Sequence, residues 1–139
     1  MRAYNKTGPV SVHAIAGVAA RMDEASTAVF LTAAFGVNDL LAEMLEQEEP
    51  YYRYVLLESE DKDTERLNAP RFNEVAGANI LPHNEFEHWL AEQLSGLNTR
   101  VKYVHTKYIL IDSLGDAPCL IGGSASFSGG STRKNDENW

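Results

Sequence analysis

The sequence predicts an α/β protein with a mixed, largely parallel sheet flanked by helices. Two observations support this fold class. The apolar run at 28–35 has no polar alternate face, which is typical of a central strand covered on both sides. A helical pattern and a second strand-like run at 52–57 follow it. This strand-helix-strand order is the unit from which parallel sheets are built.

The first half of the chain divides into two helices and two strands. A loose apolar stripe over 9–23 favours a first helix, and the run at 28–35 predicts the first strand. Asn38 is a suitable N-cap for an amphipathic helix over 39–48. The run at 52–57 predicts the second strand.

The second half contains a loop, a helix and a hairpin. Charges crowd without periodicity at 58–71, which predicts a solvated loop, with a domain linker as the alternative. A capping-box pattern begins a predicted helix over 84–95. Strand-like runs follow at 100–104 and 107–111, and a turn leads to a return strand at 119–121.

Size and composition indicate one globular domain over residues 1–139. Hydrophobic residues make up 44% of the chain and charged residues 23%, which disfavours disorder. The lone Cys119 excludes an internal disulfide, and no apolar stretch reaches the ~18 residues of a membrane span. We therefore expect a cytoplasmic protein. The net charge of -8 gives no general attraction for polyanions, so nucleic acid or anionic lipid would need a local basic patch.

The residues that could carry chemistry cluster in the C-terminal hairpin. His105 and Lys107 alternate along a strand-like run and therefore share one face. A phosphodiester needs a nucleophile for phosphorus and donors for its non-bridging oxygens, which this pair can supply. Gly123 permits close backbone approach, and the Ser124 hydroxyl can donate to a phosphate.

These residues resemble the signature of the phospholipase D superfamily. That signature is His-x-Lys, four residues, Asp, a short hairpin and Gly-Ser-x-Asn, with a Glu further downstream. The matching positions here are His105, Lys107, Asp112, Gly123, Ser124 and Glu137. The match covers the last 35 residues, and upstream only the alternation of helices and strands is similar. The resemblance implies a phospholipase D-like half-domain that needs no metal and no cofactor.

The resemblance also implies a role for each residue. His105 attacks phosphorus to form a phosphohistidine. Lys107 and Ser124 hold the phosphate oxygens, and Glu137 orients the His105 ring through its other nitrogen. Asp112 supports the motif through hydrogen bonds rather than by proton transfer.

Two substrate-binding positions complete the predicted site, Gly123 and Ser126. Ser126 stands where the superfamily has Asn, and its shorter side chain offers a single donor. The stretch at 113–122 is also longer than the commonest version, which a longer hairpin turn absorbs.

The superfamily's active site combines two motifs, one His acting as nucleophile and the other as general acid. This chain has one His-x-Lys, because none of the other histidines has Lys two residues later; they are His13, His83 and His88. We expect the second half from the same parent chain or from a homodimer. The tail at 135–138 resembles the C-terminal half of two-motif bacterial members, and we expect the chain to be truncated at its C terminus.

The sequence therefore predicts a phosphodiesterase or phosphatidyl transferase whose phosphohistidine is resolved by water or an alcohol. Two alternatives stay open: a non-catalytic phosphate-binding or scaffold half, and a phospholipase D-like nuclease. The substrate would be a phosphodiester, either a phospholipid headgroup or nucleic acid, and the acidic balance weakly disfavours the latter.

Overall fold

The computed structural model describes residues 9–60, 64–78, 104–123 and 127–129, with side chains from Ala14 onward in the first helix. The predicted helix over 84–95 lies outside the described residues. So does the predicted strand at 100–104, except for Val104, which is not in a strand.

The described residues form a five-stranded sheet and three helices. The elements in chain order are α1 (Pro9–Asp23), β1 (Ala28–Ala33), α2 (Asp39–Leu45), β2 (Tyr52–Leu57), α3 (Thr64–Leu67), β3 (Asn73–Gly77), β4 (Lys107–Ile111) and β5 (Cys119–Gly122). The strand order is β3-β2-β1-β4-β5. β1, β2 and β3 are parallel, β4 is antiparallel to β1, and β5 is antiparallel to β4. Four of the five strands therefore share one direction, and the predicted mixed, largely parallel α/β fold is confirmed.

The core lies between the three helices and one face of the sheet. Alternate residues of the central strands point into it, because side chains alternate along a strand. In β1 and β4 these include Leu31 and Ile109, which pair across the two strands and are almost fully buried. α1 contributes Ile15 and Met22, and α2 contributes Leu41. The same alternation places Lys107 on the core-facing side of β4.

Aromatic side chains line the opposite face of the sheet. The rings of Phe30 and Tyr54 stack with their centroids 5.0 Å apart. Tyr52 stacks on Tyr54 and meets the Phe72 ring edge-on. Tyr52 is 53% exposed and Leu120 of β5 is 70% exposed. The extended hydrophobic core therefore lies on the helix side.

Several elements differ from the sequence-based expectation. β1 ends at Ala33 rather than at residue 35, α2 ends at Leu45 rather than at residue 48, and β5 extends to Gly122. The segment 58–71 was predicted as a loop, but it contains the one-turn helix α3; residues 61–63 within it lie outside the described residues. β3 was not predicted. Its sequence Asn-Glu-Val-Ala-Gly is short and contains one large apolar residue, so it carries no strand pattern of its own. It becomes a strand because β2 offers it a parallel partner in register from Arg53 to Leu57.

A buried polar network holds the helix ends against the sheet. The Arg53 Nε donates to Asn73 Oδ1 at 2.6 Å, and Arg53 Nη1 donates to the Met44 carbonyl at 2.8 Å. The Asn73 Nδ2 donates to the carbonyls of Leu45 and Leu67, both at 2.6 Å. The last carbonyls of a helix have no intrahelical partner. The network supplies partners for α2 and α3, and burial lowers the pKa of Arg53 without removing its charge.

Asn73→Ala should lower the free energy of unfolding by about 2–3 kcal/mol, because it leaves the buried Arg53 Nε and two helix carbonyls without these partners. Urea denaturation of the purified chain measures this loss. Asn68→Ala is the matched control, since the exposed Asn68 accepts one hydrogen bond, from the Val75 amide. Equal losses in the two variants would contradict a special role for the network.

Candidate active site

The candidate site lies at the edge of the sheet where β1, β2 and β3 end. Parallel strands bring their carboxyl ends to one edge, and ligands of open α/β sheets bind there. β4 runs in the opposite direction and begins at this edge, so Lys107 is its first residue and His105 comes just before it. β5 also ends there, at Gly122.

His105 and Lys107 lie on the same side of the chain, against one aromatic ring. The Phe35 ring meets the His105 ring edge-on, with 6.1 Å between the centroids. The Lys107 Nζ lies 5.9 Å from the Phe35 centroid and donates to the His105 carbonyl oxygen at 2.7 Å. The register explains this meeting. Ala33 pairs with Lys107, so Phe35, two residues further, comes opposite His105.

Phe35 was not predicted as a site residue. It lies in a tight turn in which the Gly36 amide donates to the Ala33 carbonyl at 3.2 Å. Gly36 adopts a φ of 79°, which glycine accepts without steric cost. The Phe35 side chain is 43% exposed. An aromatic residue just before the glycine of the turn that follows a central strand was the available signal.

Two further side chains hold the backbone at the start of β4. Glu58, the first residue after β2, accepts a hydrogen bond from the Val104 amide at 2.6 Å. The Thr32 hydroxyl donates to the Thr106 carbonyl at 3.0 Å and accepts from the Tyr108 amide at 3.1 Å. These residues are distant along the chain from the motif, so no local pattern could reveal them.

The return strand brings the predicted glycine to the same edge. Gly122 pairs with Tyr108, and the antiparallel register therefore brings Gly123 level with Lys107. Gly123 is exposed. The chain is described again at Phe127, which is fully buried and whose carbonyl accepts from the Asn38 amide at 2.7 Å.

Three predicted site residues lie outside the described residues: Ser124, Ser126 and Glu137. The predicted approach of Ser124 to the anion and the contact of Glu137 with His105 therefore stay predictions. The described part of the predicted site consists of His105, Lys107, Gly123 and Asp112.

Asp112 lies at the opposite end of β4 from His105. Its carboxylate accepts hydrogen bonds from the amides and hydroxyls of Ser26 and Thr27 and from the Ala28 amide, at 2.8–3.1 Å. Seven residues along an extended chain, at roughly 3.3 Å each, separate Asp112 from His105. Such a distance, on the order of 20 Å, excludes proton transfer between Asp112 and a substrate at His105. Asp112 instead joins the end of β4 to the start of β1.

The backbone of Asp112 adopts the left-handed conformation, with a φ of 49°. Aspartate tolerates this region better than most residues, and here the turn is closed by the Gly115 amide, which donates to the Asp112 carbonyl at 2.8 Å. Partial burial raises the pKa of the Asp112 carboxyl. The hydrogen bonds from Thr27, and then those from the Ser26 and Ala28 amides, outweigh it and hold the pKa well below its usual range.

No protein-family model matches the chain, and no curated protein matches it. The resemblance to the phospholipase D superfamily therefore depends on the motif positions themselves. Within 9–60, 64–78, 104–123 and 127–129, no group of three or more His, Cys, Asp and Glu side chains could hold a metal ion. In the same part of the chain, no helix has the length and apolar character needed to cross a membrane.

Asp112→Asn should lower the free energy of unfolding at pH 7 by about 1.5–3 kcal/mol, because an amide nitrogen cannot accept the donors that the carboxylate accepts. The folded-state pKa is depressed, so the stabilisation is present above the unfolded pKa of about 3.9 and is lost as the pH falls towards the folded value. As the pH falls below about 5, the free energy of unfolding should therefore decrease more in wild type than in Asp112→Asn. Urea denaturation at several pH values measures this difference.

The exposed Asp116 of the same hairpin turn supplies the control, since Asp116→Asn should preserve the wild-type acid dependence. If the free energy of unfolding falls equally steeply with decreasing pH in wild type and in Asp112→Asn, the hydrogen bonds to Asp112 do not stabilise the fold.

Proposed function

We propose that this chain is one half of a metal-independent phosphodiesterase or phosphatidyl transferase of the phospholipase D type. The observation that carries the proposal is the convergence of His105 and Lys107 on one side of the carboxyl edge, against Phe35. An imidazole beside a fixed ammonium is what an anionic phosphodiester requires of a nucleophilic site.

In the proposed reaction, a neutral His105 imidazole attacks phosphorus while the bond from phosphorus to the leaving oxygen breaks. The leaving oxygen takes a proton from a general acid, and the phosphoryl group stays on His105 as a phosphohistidine. Water or an alcohol then attacks phosphorus, its proton is taken up by the same general acid acting as a base, and His105 is released. Hydrolysis and transfer differ only in this second nucleophile.

Lys107 supplies positive charge where the non-bridging oxygens would lie. Its ammonium has three N–H donors, and one of them is directed to the His105 carbonyl. This bond and the Phe35 ring hold the charge beside the nucleophile before a substrate arrives, so less reorganisation is needed in the transition state. The resemblance to the superfamily motif implies that Ser124 donates to the phosphate and that Glu137 orients the His105 ring.

The general acid is proposed to come from a second His-x-Lys half, in the same parent chain or in a second copy. The attacking atom and the leaving oxygen lie roughly in line on opposite sides of a transferring phosphoryl group. His105 therefore cannot serve both sides in one step. The substrate would be a phospholipid headgroup or a nucleic acid, and the net charge of -8 opposes the approach of a polyanion.

One sequence observation favours a second candidate function, a phosphate-binding half without turnover. Ser126 replaces the superfamily's Asn and carries one donor on a shorter side chain. If the missing Asn donor is needed only in the transition state, the chain would still bind phosphate but would not cleave a diester. Orthophosphate binding without measurable turnover in the presence of both halves would support this candidate.

The assembly that contains both His-x-Lys halves should hydrolyse bis(4-nitrophenyl) phosphate equally well with and without EDTA, and His105→Gln should abolish turnover, because the amide cannot attack phosphorus. Release of 4-nitrophenolate measures both results. Gln47→Ala is the matched control. Gln47 is exposed and lies away from the candidate site, so this variant should retain the wild-type rate.

The 139-residue chain alone should be nearly inactive in dilute solution. Equal turnover by a dilute monomer and the complete assembly would contradict the need for a second half.

Ser126→Asn should raise the turnover number of the two-half assembly, because the restored donor acts where charge develops on the phosphoryl oxygens. The loss of one such donor costs roughly 2.7–4 kcal/mol when nothing replaces it, and the Ser126 hydroxyl or a water would recover part of this. Both kcat and KM should be measured for wild type, Ser126→Asn and Ser126→Ala. Equal turnover in all three would remove Ser126 from the substrate-binding residues.

A further inference from the structure

Thr32 places a buried hydroxyl near the end of an otherwise apolar strand. β1 reads Ala-Val-Phe-Leu-Thr-Ala, and Thr32 is only 6% exposed. Valine has nearly the same shape and needs no hydrogen-bond partner in a buried strand. The other buried polar residues of the described chain, Asn38, Arg53 and Asn73, all bond to helix ends. Thr32 bonds to no helix, so its hydroxyl requires another explanation.

The two hydrogen bonds of Thr32 lie on either side of Lys107. The hydroxyl donates to the carbonyl of Thr106 and accepts from the amide of Tyr108, at 3.0 and 3.1 Å. These groups belong to the residues immediately before and after Lys107, and Thr106 also follows His105. One side chain of the central strand therefore bonds to the backbone that carries both the proposed nucleophile and the proposed cation.

The position of these bonds matters because β4 begins there. Lys107 is the first residue of β4, and His105 lies beyond the regular pairing with β1. A backbone that leaves a sheet has fewer hydrogen bonds to fix it than one inside the ladder. The Thr32 hydroxyl adds two bonds at this boundary, and Thr32 pairs directly with Tyr108.

We propose that Thr32 is a positioning residue that sets the placement of His105 and Lys107; its effect on catalysis rests on the function proposed above. Thr32 acts through the backbone and does not touch the substrate. A productive constellation must be held to within about 0.5 Å, and a small displacement can cost about a hundredfold in rate. Loss of the hydroxyl should therefore affect turnover more than substrate binding.

The test compares Thr32→Val and Thr32→Ser with Thr27→Val and Thr27→Ser in the assembly that contains both halves of the proposed site. Thr27 is the matched control because its hydroxyl donates to Asp112 at 2.8 Å, at the far end of the same strand pair. Thr32→Val should reduce kcat about 10- to 100-fold with KM changed less than about threefold, and Thr32→Ser should recover most of the rate. Both Thr27 variants should keep the wild-type kcat even where their melting temperatures fall.

Amide hydrogen exchange at Lys107 and Tyr108 provides a second measurement that does not depend on activity. Exchange at both amides should be faster in Thr32→Val than in wild type or Thr27→Val. If wild type is active and Thr32→Val keeps its kcat, or if Thr32→Ser is as impaired as Thr32→Val, the proposal is wrong. If wild type cleaves no diester, the proposed function fails, and exchange then decides the matter: unchanged rates at Lys107 and Tyr108 would overturn the positioning role.

Discussion

The candidate site depends on one antiparallel register, the pairing of β1 with β4. This register pairs Ala33 with Lys107, so that the Phe35 and His105 rings meet just beyond it, and it directs Ile109 and Ile111 into the core. Side chains alternate along a strand, so a slip of one residue would turn His105 and Lys107 to the other face and expose the two isoleucines. The hydrophobic core and the candidate site are therefore fixed by the same pairing. Asp112 joins the two strands at one end, and Thr32 joins them at the other.

The two ends of this strand pair illustrate different uses of a polar side chain. The Asp112 carboxylate is saturated with donors from the chain itself, and its depressed pKa keeps it ionised as a structural group. The Lys107 ammonium donates to the His105 carbonyl and lies beside the Phe35 ring at the carboxyl edge of the sheet. Arg53 resembles Asp112 in this respect, since its guanidinium is buried and directed to Asn73 and to helix carbonyls. A charge that the fold surrounds with partners stabilises structure, and the Lys107 charge lies at the sheet edge where ligands of open α/β sheets bind.

Sequence patterns revealed the elements whose signals are local. β2 and β4 have the predicted bounds, and Asn38 caps α2 by accepting from the Leu41 amide at 2.9 Å. β3 was missed because a short, nearly polar strand exists only through its neighbour. Thr32, Phe35 and Glu58 were missed for a related reason. Their contacts with the motif join residues that are 46 to 76 positions apart in the chain, and only the sheet topology brings them together. The role of Asp112 as support was expected from the resemblance, and the partners that it binds became visible only in the fold.

The geometry of the edge also explains why one half is an incomplete catalyst in the proposed reaction. His105, Lys107 and Phe35 lie together on the core-facing side of the sheet, and they would approach a phosphodiester from one direction. An in-line displacement needs a proton donor on the opposite side of phosphorus, where this strand pair cannot reach. A second half that faced the same edge could supply that donor without any change in the β1–β4 register. In the proposed reaction, the register that places His105 would therefore leave the role of general acid to a different segment or to a second copy.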